Sequence, residues 1–428
     1  MPRLAAGCGI LLIAACATRP ETVDPSQEVE DRTGMEMPLD RQPEDAAATP
    51  PGVRLEDGLS EDEAAAMALW NSPRLRAELS RLAVARGDLA SARRPQNPTL
   101  RFLFPSGPQQ LSVLLTWPLE NLVLLRRRVE VARTDLDVVA QSTVQTAVDL
   151  VRDARLAHID WQLAVDRVEV RRVVAEQADE IAALAQARSD AGDVAPREAD
   201  VAQVDARVAT DEAIRAEVDV AIAEAVLRTQ MGWSEVEPSL HPTTTTDEPG
   251  QAPPELGSLE ELALSSRPDL RASQLAIEAA GQRLGLQRSA VLRFAGVGSS
   301  SGPSVTGGVQ AELPIFDQNQ GGIARAKAEL DAATWRYHDL RARIVTEVTQ
   351  AQLQLARARG SLAEYQDGIV TARERDVEVV MDTYDEGEID YSGVLLAAQR
   401  LELARLREVE LRAEARRARV ELERALGR

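Results

Sequence analysis

The chain is a tandem duplication, and this constrains its fold more than any other feature. "NSPRLRA" at 71–77 returns as "SRPDLRA" at 266–272, and "TLRF" at 99–102 returns as "VLRF" at 291–294. "WPLEN" from Trp117 matches "LPIFDQ" from Leu313, and "RTDLDVVA" from Arg133 matches "KAELDAAT" from Lys327. Gly192 answers to Gly387, and "QMG" ending at Gly232 to "ALG" ending at Gly427; the offsets all fall between 192 and 196 residues. A repeat at one interval means one structural unit built twice.

Each unit follows one plan. A first helix begins at "LSEDEA" (59–64) or "GSLEEL" (257–262), where Ser and an acidic residue suit the free N–H groups of a first turn. Pro73 or Pro268 then marks a break or a fresh helix start. Period-two stretches follow. Leu111, Val113, Leu115 and Trp117 alternate with Ser112, Leu114 and Thr116; Val305, Gly307, Val309, Ala311 and Leu313 alternate with Thr306, Gly308, Gln310 and Glu312. These predict β-hairpins over 98–118 and 290–315, turning at the Ser-Gly-Pro tripeptides that contain Gly107 and Gly302. Next, Leu122 to Ala191 holds neither Gly nor Pro and would reach about 105 Å as continuous helix at 1.5 Å per residue. Its counterpart, Ile323 to Glu386, has no Pro and only Gly360 and Gly368. Turns at "DAGDVAP" and "DEGEIDYSG" lead to return helices predicted over Arg197–Met231 and Val394–Leu426.

The long helices carry a coiled-coil seam. Ile344, Val348, Ala351, Leu355, Ala358, Leu362, Tyr365 and Ile369 step by four and three. The matching positions of the first unit are Leu150, Ala154, Ala157, Trp161, Ala164, Val168, Arg171 and Ala175, apolar at all but Arg171. Such spacing keeps one stripe facing a partner helix, and its many alanines suit the close approach of a helical barrel or bundle. An ordinary two-stranded coiled coil is the simpler alternative, disfavoured by the duplicated strands.

Two hairpins give four strands, too few to close a barrel, and an isolated hairpin in lipid would leave unpaired N–H and C=O groups at its edges. Closure then requires several chains, and a trimer would supply twelve strands. The strands are short for a membrane and aromatic residues few, so hairpins at the end of a soluble helical stalk form the competing reading.

Composition narrows the function. The net charge of −20 over 428 residues excludes a nucleic-acid partner, which needs a basic footprint. Charged residues at 28% and aromatics at 3% suit long helices with narrow seams. The two cysteines, Cys8 and Cys16, lie at the start, in "MPRLAAGCGILLIAACATRP", whose short apolar run has the form of a secretory signal. "IAAC" ending at Cys16 resembles a bacterial lipobox, so an N-terminal lipid on Cys16 is expected; a plain signal peptide is the alternative. Ala17 after Cys16 implies, by resemblance to enterobacterial lipoproteins, sorting to the outer membrane. Residues 1–16 are thus assigned to a lipoprotein-type signal and 17–57 to an unstructured acidic, Pro-rich tether. The two repeats occupy 58–232 and 258–428, joined by a linker at 233–257. His158, His241 and His338 are scattered, no spacing suggests a metal site, and no catalytic constellation is visible; no enzyme activity and no cofactor beyond the lipid are expected.

From about residue 58 to the end, the chain resembles the TolC-like outer-membrane efflux family. The resemblance rests on the duplicated plan, on "SPRLRA/RPDLRA", on "ELPIFDQNQGGIARAKAELDAA" from Glu312, and on "YDEGEIDYSGVLLAAQRLELA" from Tyr384. The run Leu313–Gly321 is most similar to the heavy-metal branch of that family. The resemblance implies a mainly α fold, in which duplicated long-helix hairpins form an α-barrel and two short β-hairpins contribute to a trimeric twelve-stranded transmembrane β-barrel. It implies a homotrimeric passive conduit in outer-membrane lipid, extending into the periplasm. Its partners would be a periplasmic adaptor and an inner-membrane pump of the resistance–nodulation–division class, exporting heavy-metal cations, with drugs as the second substrate class. The helix turns at Gly192 and Gly387 would then be the aperture and adaptor-docking tips. Asp190, Asp193, Glu386, Glu388 and Asp390 crowd them with negative charge. The acidic pair that a well-known member places six and nine positions after the second tip glycine is absent, Gly393 and Leu396 standing there instead. The alternative function is a soluble periplasmic coiled-coil scaffold or adaptor.

Overall fold

The computed structural model describes residues 24–39, 47–104, 111–233, 240–243, 256–291, 293–301 and 304–428. Cys16, Gly107 and Gly302 lie outside the described residues.

Both repeats open with a helix broken by proline. In the first, α2 (Glu61–Asn71) is followed by α3 (Pro73–Ala92), after α1 (Pro25–Thr33). Ser60 caps α2 as expected: its hydroxyl accepts from Glu63 N at 3.3 Å while Glu63 Oε2 accepts from Ser60 N at 2.9 Å. The hairpin strands β1 (Thr99–Leu103) and β2 (Ser112–Pro118) lead into α4 (Glu120–Ala191), a single helix of 72 residues, and α5 (Pro196–Gln230) returns along it. The second repeat runs α6 (Leu256–Ser266), α7 (Pro268–Ser289), β3 (Arg293–Ser301), β4 (Ser304–Glu312), α8 (Gln320–Glu364), α9 (Val370–Asp385) and α10 (Tyr391–Ala425).

Three expectations are corrected. α6 begins at Leu256, so Ser258 lies inside the helix rather than ahead of it as a cap. The second long helix is not uniformly α-helical: Tyr365–Ile369 forms a π turn between α8 and α9, the backbone staying right-handed helical through it. Gly368 lies in that turn, where no side chain is buried, so local packing does not enforce the α-helical ladder. The third concerns the tether. Within 17–57, α1 is capped by Asp24, whose Oδ1 accepts from Ser26 N at 3.0 Å, and it closes at Gly34 with φ 69°. Val29, Met35 and Met37 are buried in a cluster with Leu69, Leu75, Val144 and Leu150. Arg32 Nη1 donates to Gly427 O at 2.9 Å, and Gln141 Nε2 donates to Glu28 Oε2 at 2.8 Å. Three apolar side chains on a capped turn suffice to dock a segment whose average composition is polar. The linker is also partly ordered: Leu59 N donates to His241 O at 2.7 Å and Thr243 N to Leu59 O at 3.0 Å, with Leu240 buried beside them.

The four strands form one antiparallel sheet in the order β1-β2-β3-β4. Its register places Leu100 opposite Leu115, Phe102 opposite Val113, Trp117 opposite Gly296 and Val309 opposite Gly296. Residues directly opposite share a face. One face therefore carries Leu100, Phe102, Val113, Leu115, Trp117, Phe294, Val305 and Val309, and the other Thr99, Arg101, Thr116, Thr306, Gln310 and Glu312 together with Leu103, Leu114 and Val297. Among the described residues both outer strands, β1 and β4, have one unpaired edge.

The helical part has no thick core. The seam is buried from Ile344 to Ala358 and from Leu150 to Val168, and half-buried beyond. Arg171, the charged position in the seam, bridges Glu212 of α5 at 2.5 Å and Glu402 of α10. Burial pushes the Glu402 carboxyl up, against the opposing pull of Arg171. At mid-length, Arg416 of α10 pairs with Glu61 of α2, both side chains buried, with Arg416 Nε 2.8 Å from Glu61 Oε1. Nearby, His158 is fully buried and its Nε2 is 2.7 Å from Leu59 O, so that nitrogen carries the proton; burial lowers its pKa.

Two tests follow from this belt. Glu61→Ala leaves Arg416 buried without its carboxylate and is expected to destabilise the fold by about 3–5 kcal/mol in chemical denaturation. Because the folded pKa of His158 lies below its ordinary 6.5, its contribution is fully present above that value and declines as pH falls through and below it. Melting temperature should drop on acidification in the wild type, and His158→Gln should remove part of that slope.

Candidate functional site

The helical end remote from the sheet is built by two equivalent turns. α4 closes at Gly192 with φ 86°, and α9 is followed by Gly387 with φ 79°. At the first, Asp193 N donates to Arg188 O at 2.9 Å and Gly192 N to Ser189 O at 3.0 Å; at the second, Glu388 N donates to Thr383 O at 3.1 Å and Gly387 N to Tyr384 O at 2.9 Å. Both are left-handed helix caps that satisfy the last carbonyls, and glycine takes that backbone without steric penalty. Pro196 then starts α5, and Asp390 precedes α10 in an extended conformation.

The structure brings the two turns together. Arg188 reaches from the first to the second, its Nη1 donating to Tyr384 O at 2.7 Å and its guanidinium lying 4.5 Å from the centre of the Tyr384 ring. Tyr384 is fully buried, and its hydroxyl donates to Glu198 Oε1 at 3.1 Å; Tyr391, also buried, donates to Asp205 Oδ2 at 2.9 Å. Glu198 and Asp205 lie seven residues apart on α5, two turns along one face. Around these bonds Ile181, Ala185, Ala199, Ala202 and Val394 form a small apolar cluster. The pair of phenol–carboxylate bonds is thus the tie between the two helix pairs at this end. Burial first, and then the Asp205 carboxylate, push the Tyr391 hydroxyl up from its ordinary 10.0; Tyr384 shifts the same way for the same reasons beside Glu198.

The sequence-predicted tip residues Asp190, Gly192, Asp193, Glu386, Gly387, Glu388 and Asp390 are all exposed at these turns. Asp190 Oδ1 accepts from Gln186 Nε2 at 2.9 Å, and Asp390 Oδ1 accepts from Ser392 Oγ at 2.6 Å. The carboxylates therefore form a solvated acidic surface over a buried tyrosine tie. Sequence reasoning noticed Tyr384 only as part of a turn pattern and missed both tyrosines as the tie. A signal was available: two of the four tyrosines in the chain flank Gly387, seven residues apart. Among the described residues no group of three or more His, Cys, Asp or Glu is placed to hold a metal ion, and no helix is long and apolar enough to cross a membrane.

Comparison with known proteins adds the following. Residues 259–428, the second repeat, match the family model described as outer membrane efflux protein. A stretch of 121 residues is 29% identical to the cobalt-zinc-cadmium resistance protein CzcC of Cupriavidus metallidurans, covering 28% of this chain and 29% of that relative's length. Among solved structures, the chain superposes on CusC with a TM-score of 0.73 at 17% identity, over 86% of this chain and 91% of that one. It superposes on the CmeC outer membrane channel of Campylobacter jejuni with a TM-score of 0.73 at 15% identity, over 86% and 85%. At such identities the structural likeness is one of fold.

Tyr391→Phe keeps the buried ring but removes the donor to Asp205, at an expected cost of roughly 1 kcal/mol. Hydrogen exchange should accelerate in the cap residues around Gly192 and Gly387 and stay unchanged near Glu61. Because the folded pKa of Tyr391 is raised, the tie contributes fully below pH 10.0 and is lost as pH rises beyond it, so the same residues should loosen in alkali.

Proposed function

We propose that this chain, which belongs to the outer membrane efflux protein family, is the outer-membrane conduit of a three-component export system. The observation that carries this is the open, two-faced sheet. Its apolar face holds Leu100, Phe102, Leu115 and Val309, its other face carries Arg101, Thr116, Thr306, Gln310 and Glu312 among Leu103, Leu114 and Val297, and its edge strands β1 and β4 want partners. In lipid an open edge leaves backbone groups unpaired at a cost of several kcal/mol each, so such a sheet must close with copies of itself. Three copies give twelve strands, within the range of closed membrane barrels, with the apolar face toward lipid and the more polar face lining the bore.

Beneath the sheet, α4 extends about 108 Å at 1.5 Å per residue, enough to carry a tube deep into the periplasm. The acidic surface at Asp190, Asp193, Glu386, Glu388 and Asp390 is the docking face for a periplasmic adaptor, which links the tube to an inner-membrane pump of the resistance–nodulation–division class. Threefold repetition of those carboxylates would favour cations at the aperture. The relative named for cobalt, zinc and cadmium resistance supports heavy-metal cations as cargo, with drugs as the second class. The tube is passive and has no catalytic role; a lipid on Cys16 anchors it.

Fractionation tests the reading. The expected product is a trimer in the outer membrane that dissociates on heating, with Cys16→Ala reducing its membrane retention. A water-soluble monomer would sink the proposal and favour a periplasmic scaffold. For cargo, a deletion strain should lose resistance to divalent metals more than to drugs; the reverse pattern would reassign the substrate class.

A further inference from the structure

The described elements form a row with two unlike edges. In the sheet, β1 and β4 are the outer strands. Below it, α3 packs on α4, α4 on α7 and α7 on α8. α3 leads into β1 and α8 follows β4, so each helical edge continues a sheet edge.

The first edge has a hole. α3, α4 and Leu286 of α7 enclose an open groove of about 420 Å³, walled by Val84, Ala85, Val131 and Val139 and flanked by Arg81, Arg128, Asp88 and Asp135. Val84 is 65% exposed there. The second edge has a knob. Trp335 of α8 is 73% exposed, the most exposed of the five tryptophans. One turn to either side of it lie Asp331 and Asp339, both exposed; His338 tilts against the indole with ring centres 6.1 Å apart, and two turns away stand the small residues Ala328 and Ala342. A tryptophan in such a setting is the residue type that most often anchors an interface.

The two features stand at one height. Trp335 lies about 22 Å along α8 from its start, and Arg128 to Val139 lie about 12 to 28 Å along α4 from its start, at 1.5 Å per residue. Both helices leave the same sheet. Charge at the hole is mixed: Arg81 and Arg128 can face the carboxylates of the knob, Asp135 is already bridged by Arg283 of α7, and Asp88 stands exposed one turn beyond Val84. Arg81 pairs with Glu78 at 2.7 Å and Asp339 with Arg343 at 2.6 Å, but these are exposed helix pairs of small worth that can exchange for intersubunit partners.

We propose that Trp335 of one subunit seats in the α3–α4–α7 groove of a second copy of this chain, with Asp331 and Asp339 facing Arg81 and Arg128. Knob and groove lie on different edges, so the contact is head-to-tail and is satisfied at every joint only in a closed ring. This rests on the conduit reading, since it supplies the helical joint beneath the shared barrel.

The test is thiol bridging of the full chain in outer membranes with a short bis-maleimide. Trp335→Cys combined with Val84→Cys should yield a covalent ladder ending at the trimer on denaturing gels, while either single variant and the wild type run as monomer. Separately, Trp335→Ala should lower the temperature at which the unheated trimer dissociates, with Trp335→Tyr restoring much of it and helicity unchanged by circular dichroism. A heat-sensitive trimer that gives no ladder with the double variant, or a Trp335→Cys single variant that bridges to itself, overturns the joint and leaves the conduit standing; the first result would hand the groove to lipid or to an adaptor. A wild type that forms no trimer overturns both.

Discussion

The molecule is organised by backbone groups that have nowhere to go. β1 and β4 each present an unpaired edge, in a sheet whose apolar face asks for lipid or for cover. Water could satisfy those edges but not the exposed Phe102, Leu115 and Val309 beside them. Lipid could take the side chains but not the edges. Closure with further copies meets both demands, and the helices below inherit the same two-edged layout. The helical seams need partners only within the chain over their middle, where Leu150 to Val168 and Ile344 to Ala358 are buried.

Polar contacts then fix how the two repeats sit against each other. Arg416 with Glu61 at mid-length, Arg171 with Glu212 and Glu402 further along, and Tyr384 and Tyr391 with Glu198 and Asp205 at the end make three successive ties. Apolar alanine seams slide easily; buried charged and hydroxyl groups do not, because a shifted register would leave them unpaired. The belt and the tip thus set register, while the seam supplies most of the buried area.

Much of this was legible in the residues because periodic signals are local. The absence of Gly and Pro from Leu122 to Ala191 led directly to α4, and Gly192 and Gly387 to the two left-handed caps. The period-two alternation led to the hairpins, with outer boundaries shifted by up to three residues. What stayed hidden depended on distant partners or on departures from regular structure. α1 looked polar because its docking needs only Val29 and two following methionines, and their partners are more than thirty residues away. The role of Arg171 was unreadable as an interruption in a seam until Glu212 and Glu402 came beside it. The π turn at Tyr365–Ile369 had only Gly360 and Gly368 as its trace. The tyrosine tie joins residues 186 positions apart, beyond any sequence periodicity.

That π turn makes the duplicated limbs unequal. α4 is α-helical from the sheet to the tip, whereas its counterpart takes one wider turn between α8 and α9. Duplication supplied two copies of one beam; a single altered helical turn sets the second apart from the first, because an extra residue in that turn rotates every side chain beyond it by about 100° around the helix axis.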